Sequence, residues 1–212
     1  MVYDLSLSEN VIAEKAVKEG IDNLSNFFEI KFPEIPDIYL VGNRKTINAL
    51  KGMDTQPWVV GFGKSETRSI YLLHPDKYQS ESNHVYSDDY FFTLVKHELC
   101  HKFYNQFAGD YRPRWLSEGV CIYTSGQKRK PISKVEWFLK FFQGSEPGIE
   151  HVYEEAGLAV KILHDNFGKK KLLEFIKKGS QTKNSDELSV VFEEIYNKKM
   201  DYETFNELIK PN

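Results

Sequence analysis

Apolar residues recur at two different intervals along the chain, and the change from one interval to the other predicts its organisation. Between Val11 and Phe28 they recur at helical spacing, with Ser8 before them as a cap, so we expect a helix from residue 9 onward. Three shorter apolar runs predict strands at 38–41, 58–62 and 69–73. A glycine-containing turn joins the last two runs, which predicts a hairpin.

Helical periodicity returns after the hairpin and continues to the end of the chain. Asp88 or Asp89 is predicted to cap a helix that extends to Phe107, and a second helix is predicted between Pro113 and Gly126. The remaining predicted helices are 133–142, 150–166, 169–178, 185–197 and 201–209. A small mixed sheet with a helix, followed by a mainly helical half, predicts an α+β fold.

Length and composition are those of an ordinary globular protein. The 212 residues contain no repeat and no long linker, so we expect one unit with a mixed part, 1–87, and a helical part, 88–212. The net charge of −3 lacks the basic surface of a nucleic-acid-binding protein. Two cysteines and no apolar leader or membrane-spanning run favour a cytoplasmic protein without membrane association, although a secretion signal already removed would leave the same pattern.

Candidate chemistry begins at the sequence His97-Glu98-Leu-Cys-His101. On a helix with about 3.6 residues per turn, His97 and His101 lie about 40° apart, so both imidazoles project from one face and can bind one ion. Glu98 lies about 100° from His97, where its carboxylate can reach a metal-bound water without becoming a ligand. The surrounding helix is apolar on most faces, and buried histidines need partners, which a zinc ion would provide.

A catalytic zinc site needs a third protein ligand and one open position. Glu118 is separated from His101 by sixteen residues, which suits the first turns of an antiparallel neighbouring helix. Gly119 would allow this second helix to approach its neighbour closely. Cys100 is an alternative ligand, because zinc accepts sulfur, although a buried cysteine more commonly acts as a small apolar residue.

The His-Glu-x-x-His sequence at 97–101, followed by Trp-Leu-x-Glu-Gly at 115–119, resembles the gluzincin metallopeptidases, particularly the catalytic core of the aminopeptidase N type. The resemblance covers residues 88–180. It implies a zincin-like fold, one zinc ion held by the two histidines and Glu118, and Glu98 as the catalytic base.

The same resemblance assigns a role to a tyrosine farther along the chain. The segment His-Val-Tyr-Glu-Glu-Ala-Gly at 151–157 is similar to the Tyr-Glu-x-Gly helix start of that family. There the tyrosine donates a hydrogen bond to the oxyanion of the tetrahedral intermediate, and the role falls on Tyr153 in this chain. Tyr123 and His151 are alternatives for it.

Two patterns of related enzymes are missing from the sequence. The Gly-Ala-Met-Glu-Asn segment that recognises a free N-terminus in the aminopeptidases has no counterpart, and the expected edge strand at 69–73 contains no glutamate. The residue four positions after Glu118 is Ile122 rather than the acid of the thermolysin type. Aminopeptidase specificity therefore does not follow, and endopeptidase and exopeptidase activities both remain open.

These features together predict a zinc-dependent peptidase that hydrolyses peptides or proteins through a metal-activated water. Glu98 would transfer the proton, and the substrate would extend along the strand at 69–73 by β-augmentation. The alternatives are a zinc-binding protein without turnover, a zinc amidohydrolase acting on a non-peptide amide, and a purely structural zinc site. His74 and His84 lie in predicted loops that could line the cleft.

Overall fold

A small sheet and eight α-helices make up the fold, counted over the residues that the computed structural model describes, which are 5–6, 10–31, 35–64, 68–109, 112–143 and 151–209. This composition confirms the predicted α+β class. Contacts divide the chain into two units, Met1–Lys102 and Phe103–Asn212. Within the described ranges, no helix is long and apolar enough to cross a membrane.

The elements follow one another in an order close to the predicted one. The strands are β1 (Leu5–Ser6), β2 (Ile38–Val41), β3 (Gly61–Gly63) and β4 (Ile70–Leu73). The α-helices are α1 (Val11–Phe28), α2 (Arg44–Lys51), α3 (Tyr78–Glu81), α4 (Asp88–Ala108), α5 (Arg114–Ser125), α6 (Val152–Gly179), α7 (Ser185–Tyr196) and α8 (Tyr202–Glu207). Short 3-10 helices occur at Pro75–Lys77 and Phe138–Lys140.

The sheet has the order β1-β2-β4-β3, with β2 and β4 parallel and the two outer pairings antiparallel. The predicted hairpin is confirmed, because β3 pairs with β4. The prediction that 69–73 forms an edge strand is wrong. β4 bonds to β2 on one side and to β3 on the other, so the edge beside it is β3. The pairing of β2 with β4 is non-local, and the local pattern could not show it.

Polar caps fix where the helices of the first unit begin. Asn10 caps α1, since its side-chain oxygen accepts from the Ala13 N–H at 3.0 Å, and the predicted cap Ser8 lies outside the described residues. Ser87 caps α4 in place of either aspartate, accepting from the Tyr90 N–H at 3.1 Å. The sequence predictions contain neither α2 nor α3.

In the second unit, α5 packs closely on α6. A Cβ at Gly119 would lie 2.3 Å from the carbonyl oxygen of Ala156, so the glycine is required for the close approach of α5 to α6. The two predicted helices 150–166 and 169–178 form α6, which is interrupted at Gly168 by a φ of 81°. Trp115 is fully buried at the centre of the unit, with its ring against Phe138, Phe175 and Phe205.

The helix predicted at 133–142 is wrong, because only the 3-10 turn Phe138–Lys140 forms there. The backbone N–H groups that would begin a helix are bound by distant side chains. One oxygen of Glu155 accepts from three successive N–H groups, at 2.6 to 3.0 Å, and Asn206 accepts from Val135 at 2.9 Å. These bonds connect the segment to α6 and α8.

Candidate metal centre

α4 presents His97 and His101 one turn apart on the same side of the helix. Their Nε2 atoms lie 3.2 Å apart and their ring planes are nearly perpendicular, at 85°. Two ligands bound to one tetrahedral zinc ion at about 2.0–2.1 Å are separated by about 3.3 Å, so the observed spacing is that of two imidazoles sharing an ion. The predicted convergence of the two rings is present in this unit.

Glu118 lies in the second turn of α5 and is 4% exposed. Its Oε1 lies 2.5 Å from Nη2 of Arg114, one turn earlier on the same helix. A carboxylate that is buried without a cation is strongly unfavourable, so Arg114 offsets the cost of burying Glu118. The first two N–H groups of α5, those of Arg114 and Trp115, donate to the carbonyls of Phe142 and Phe141 at 2.7 and 2.8 Å. These bonds fix the start of the helix and therefore the position of Glu118 along it.

His97, His101 and Glu118 form a group whose candidate ligand atoms all lie within 4.8 Å of one another. His97 and Glu118 are buried and His101 is partly buried. Two imidazoles and a carboxylate are the donor set of a catalytic zinc site with one position left open. The group could therefore hold a metal ion. Cys100 is buried and is not one of these three residues.

Glu98 lies against the edge strand of the sheet. It is 7% exposed, and its Cγ lies 3.5 Å from the position that a Cβ on Gly61 would occupy. Farther along α4, the Nζ of Lys102 donates to the Lys64 carbonyl at 2.6 Å. The helix that carries the histidines thus packs along β3 and is hydrogen-bonded to the residue that follows it.

The register of β3 directs the backbone groups of its two glycines away from the sheet. Leu73 donates to the Val60 carbonyl at 2.8 Å, and Lys64 donates to the Ser69 carbonyl at 3.0 Å. In an antiparallel pair the residues between such bonded positions point their N–H and C=O outward. Gly61 and Gly63 occupy those positions, so an extended chain could pair with them beside Glu98.

Tyr153 stands at the start of α6 and is half-buried, with its ring edge-on to Phe141. Burial raises the pKa of its hydroxyl, and the Glu118 carboxylate raises that pKa further, while Arg114 and Arg129 lower it. The hydroxyl therefore remains a hydrogen-bond donor at neutral pH. Of the three side chains considered for the oxyanion role, Tyr153 thus has a hydroxyl on which Glu118 acts electrostatically.

The other two candidates have different surroundings. The ring of Tyr123 lies against His164, with ring centroids 5.2 Å apart, and the pKa of its hydroxyl is raised by burial and then by Asp165. His151 occupies the N-cap position of α6 with a φ of 63°, and its Nδ1 lies 4.0 Å from the Glu154 carboxylate.

The two loop histidines stabilise local structure. The Nδ1 of His74 accepts from the Asp76 N–H at 3.2 Å and caps a 3-10 turn. His84 bonds through Nε2 to the Trp58 carbonyl at 3.0 Å and packs on the Tyr90 ring. Both contacts lie within the first unit.

Sequence reasoning missed Arg114 and Gly61. Arg114 precedes Glu118 by four residues on a predicted helix, a spacing at which opposite charges pair. The ion pair with Glu118 could therefore have been predicted from the sequence. Gly61 carried no comparable signal, because its proximity to Glu98 depends on how the sheet packs on α4.

Comparisons with models of known protein families, with curated proteins and with solved structures found no match to this chain.

Proposed function

We propose that this chain is a zinc-dependent peptidase of the zincin-like, gluzincin type. The observation that carries the proposal is the His97, His101 and Glu118 group, with its ligand atoms within 4.8 Å of one another and the two Nε2 atoms 3.2 Å apart. A His₂Glu donor set is typical of zinc enzymes that hydrolyse amide bonds, whereas structural zinc sites are closed by four protein ligands. When bound, zinc would supply an activated water and polarise the scissile carbonyl.

Glu98 follows the first histidine and is buried beside the edge strand, so it is suited to moving a proton. Its carboxylate accepts a proton from the attacking water and delivers it to the nitrogen of the leaving amine. Tyr153 donates a hydrogen bond from its hydroxyl to the carbonyl oxygen as negative charge develops there. The raised pKa of Tyr153 supports this role, because the donor form persists through neutral pH.

The substrate backbone pairs with β3 rather than with β4. The outward N–H and C=O groups of Gly61 and Gly63 provide the hydrogen bonds of an added strand. This pairing sets the scissile carbonyl near Glu98, since the Glu98 side chain contacts the position of a Gly61 Cβ. Backbone pairing selects an extended peptide, which favours a peptidase over an amidohydrolase for small amides.

The decisive test compares the wild-type chain with Glu98→Gln. Zinc content is measured after loading and dialysis, and cleavage of a peptide library is measured with and without a chelator. Because the amide nearly matches the carboxylate in shape, the variant should bind zinc as the wild type does. Its kcat should fall by about 10²- to 10⁴-fold, the usual contribution of a general base. Glu193→Gln, an exposed change on α7, controls for the loss of one carboxylate.

The outcomes separate the proposal from its alternatives. One zinc per chain with chelator-sensitive cleavage and an inactive Glu98→Gln supports the peptidase. Zinc binding with no cleavage of any peptide favours a binding protein, and cleavage confined to non-peptide amides favours an amidohydrolase. Full activity in Glu98→Gln would exclude the assigned role of Glu98.

A further inference from the structure

Arg129 lies in the segment that follows α5, with its Cζ 5.9 Å from the centre of the Tyr153 ring. Its Nη2 donates to the side-chain oxygen of Gln127 at 3.0 Å, and Gln127 is neutral. No carboxylate is paired with Arg129 in the part of the chain that the structure describes. An exposed guanidinium held over an aromatic ring keeps most of its five N–H donors available for a bidentate partner.

The charges around Tyr153 favour the binding of an anion beside the Arg129 guanidinium. Two guanidinium groups, those of Arg114 and Arg129, act on the hydroxyl, and among the described residues the one carboxylate that does so is Glu118. Glu118 is bound to Arg114 and is the proposed metal ligand, so its charge is already compensated. Tyr153 is also the second residue of α6, where the positive end of the helix dipole adds to the same effect.

We infer that Arg129 binds a carboxylate of the substrate close to the scissile bond. The inference rests on the proposed peptidase function and narrows its substrate class to peptides bearing such a carboxylate. An extended peptide advances about 3.3 Å per residue. Because the guanidinium of Arg129 lies 5.9 Å from the centre of the Tyr153 ring, a carboxylate within a few residues of the carbonyl that Tyr153 contacts can reach it. That group is either the free C-terminal carboxylate or an acidic side chain.

The experiment uses the zinc-loaded full chain and N-acetylated hexapeptides in three forms. The first form ends in a free carboxylate, the second in an amide, and the third in an amide with one glutamate at each position in turn. Cleavage of each form is followed by mass spectrometry in the wild type, in Arg129→Gln and in Lys130→Gln. Lys130→Gln removes a neighbouring exposed charge that is not among the described groups acting on the Tyr153 hydroxyl.

The measured quantity is the ratio of kcat/KM for a carboxylate-bearing peptide to that of its amide. A charge-assisted hydrogen bond predicts a ratio of about 10 to 100 in the wild type. We expect the ratio to persist in Lys130→Gln and to fall to about one in Arg129→Gln. Preference for the first peptide form identifies a carboxypeptidase, and preference for the third identifies an acidic subsite. A wild-type ratio of about one, or an undiminished ratio in Arg129→Gln, would overturn the inference.

Binding of the same peptides distinguishes this failure from failure of the proposed function. Calorimetric titration into zinc-loaded Glu98→Gln, with and without Arg129→Gln, measures carboxylate preference without turnover. If no peptide is cleaved but the preference is present and depends on Arg129, the peptidase function fails and carboxylate recognition stands. If no peptide binds, the recognition inference is refuted.

Discussion

Gly119→Ala tests whether the close approach of α5 to α6 fixes the position of Glu118. The added Cβ would lie 2.3 Å from the Ala156 carbonyl oxygen and 2.8 Å from a methyl carbon of Val160, whereas ordinary contacts begin at 3.4 Å. The helices would have to separate by about 1 Å locally, the difference between 2.3 and 3.4 Å. Because Glu118 is the preceding residue, it would move with the helix.

The cost follows from the atoms that the methyl group meets. Adding a methylene to a packed core typically costs 1–3 kcal/mol, and a backbone oxygen cannot rotate away as a side chain can, so we expect about 3 kcal/mol. Domains of this kind unfold with only about 5–15 kcal/mol, so the loss is a substantial share. Displacement of the carboxylate should also weaken zinc binding by about tenfold, as changes around metal ligands commonly do.

Urea unfolding of the metal-free protein, followed by circular dichroism, measures the first effect, and competition with a chromophoric chelator measures the second. Gly42→Ala is the matched control, because a Cβ there meets no atom within 4 Å and the residue is not in the left-handed region. The control should remain within about 0.5 kcal/mol of the wild type. An unfolding free energy for Gly119→Ala that equals that of the control would refute the packing argument.

Two further predictions concern stability in the second unit. Glu155→Ala leaves three backbone N–H groups without their acceptor and should lower the free energy of unfolding by about 3 kcal/mol. The control, Glu154→Ala on the same turn, should lower it by less than about 1 kcal/mol. Urea titration of both variants measures the two free energies. Burial, and then the charge of Glu174, raises the pKa of the Tyr196 hydroxyl far above its usual value. Above about pH 10 the unfolded chain releases a proton that the folded chain retains, so stability should fall with rising pH, and Tyr196→Phe should show a smaller fall between pH 9 and 11.

The sequence predicted the elements whose signals are local. The spacing of His97 and His101 is a property of one helix, and the long apolar periodicities of α1 and α4 survive in the structure. α2 was missed because it is short and polar, although its boundaries are marked by Asn43, which caps it, and by Gly52, which ends it with a φ of 72°.

Non-local contacts explain the remaining failures. The segment 133–142 has helical periodicity, but Glu155 and Asn206 bind its N–H groups, and no local pattern reveals those partners. The order of strands in the sheet likewise depends on the parallel pairing of β2 with β4. The same limit applies to Gly61, whose contact with Glu98 exists only after the sheet and α4 have packed.

The composition of the edge strand has a consequence for solubility. A sheet margin with open N–H and C=O groups is a potential template for aggregation with other chains. In β3 this margin is limited to three residues, Gly61–Gly63, and Lys102 is bonded to the backbone immediately after it. A guest strand can therefore gain only a few hydrogen bonds, too few to nucleate a growing cross-β assembly.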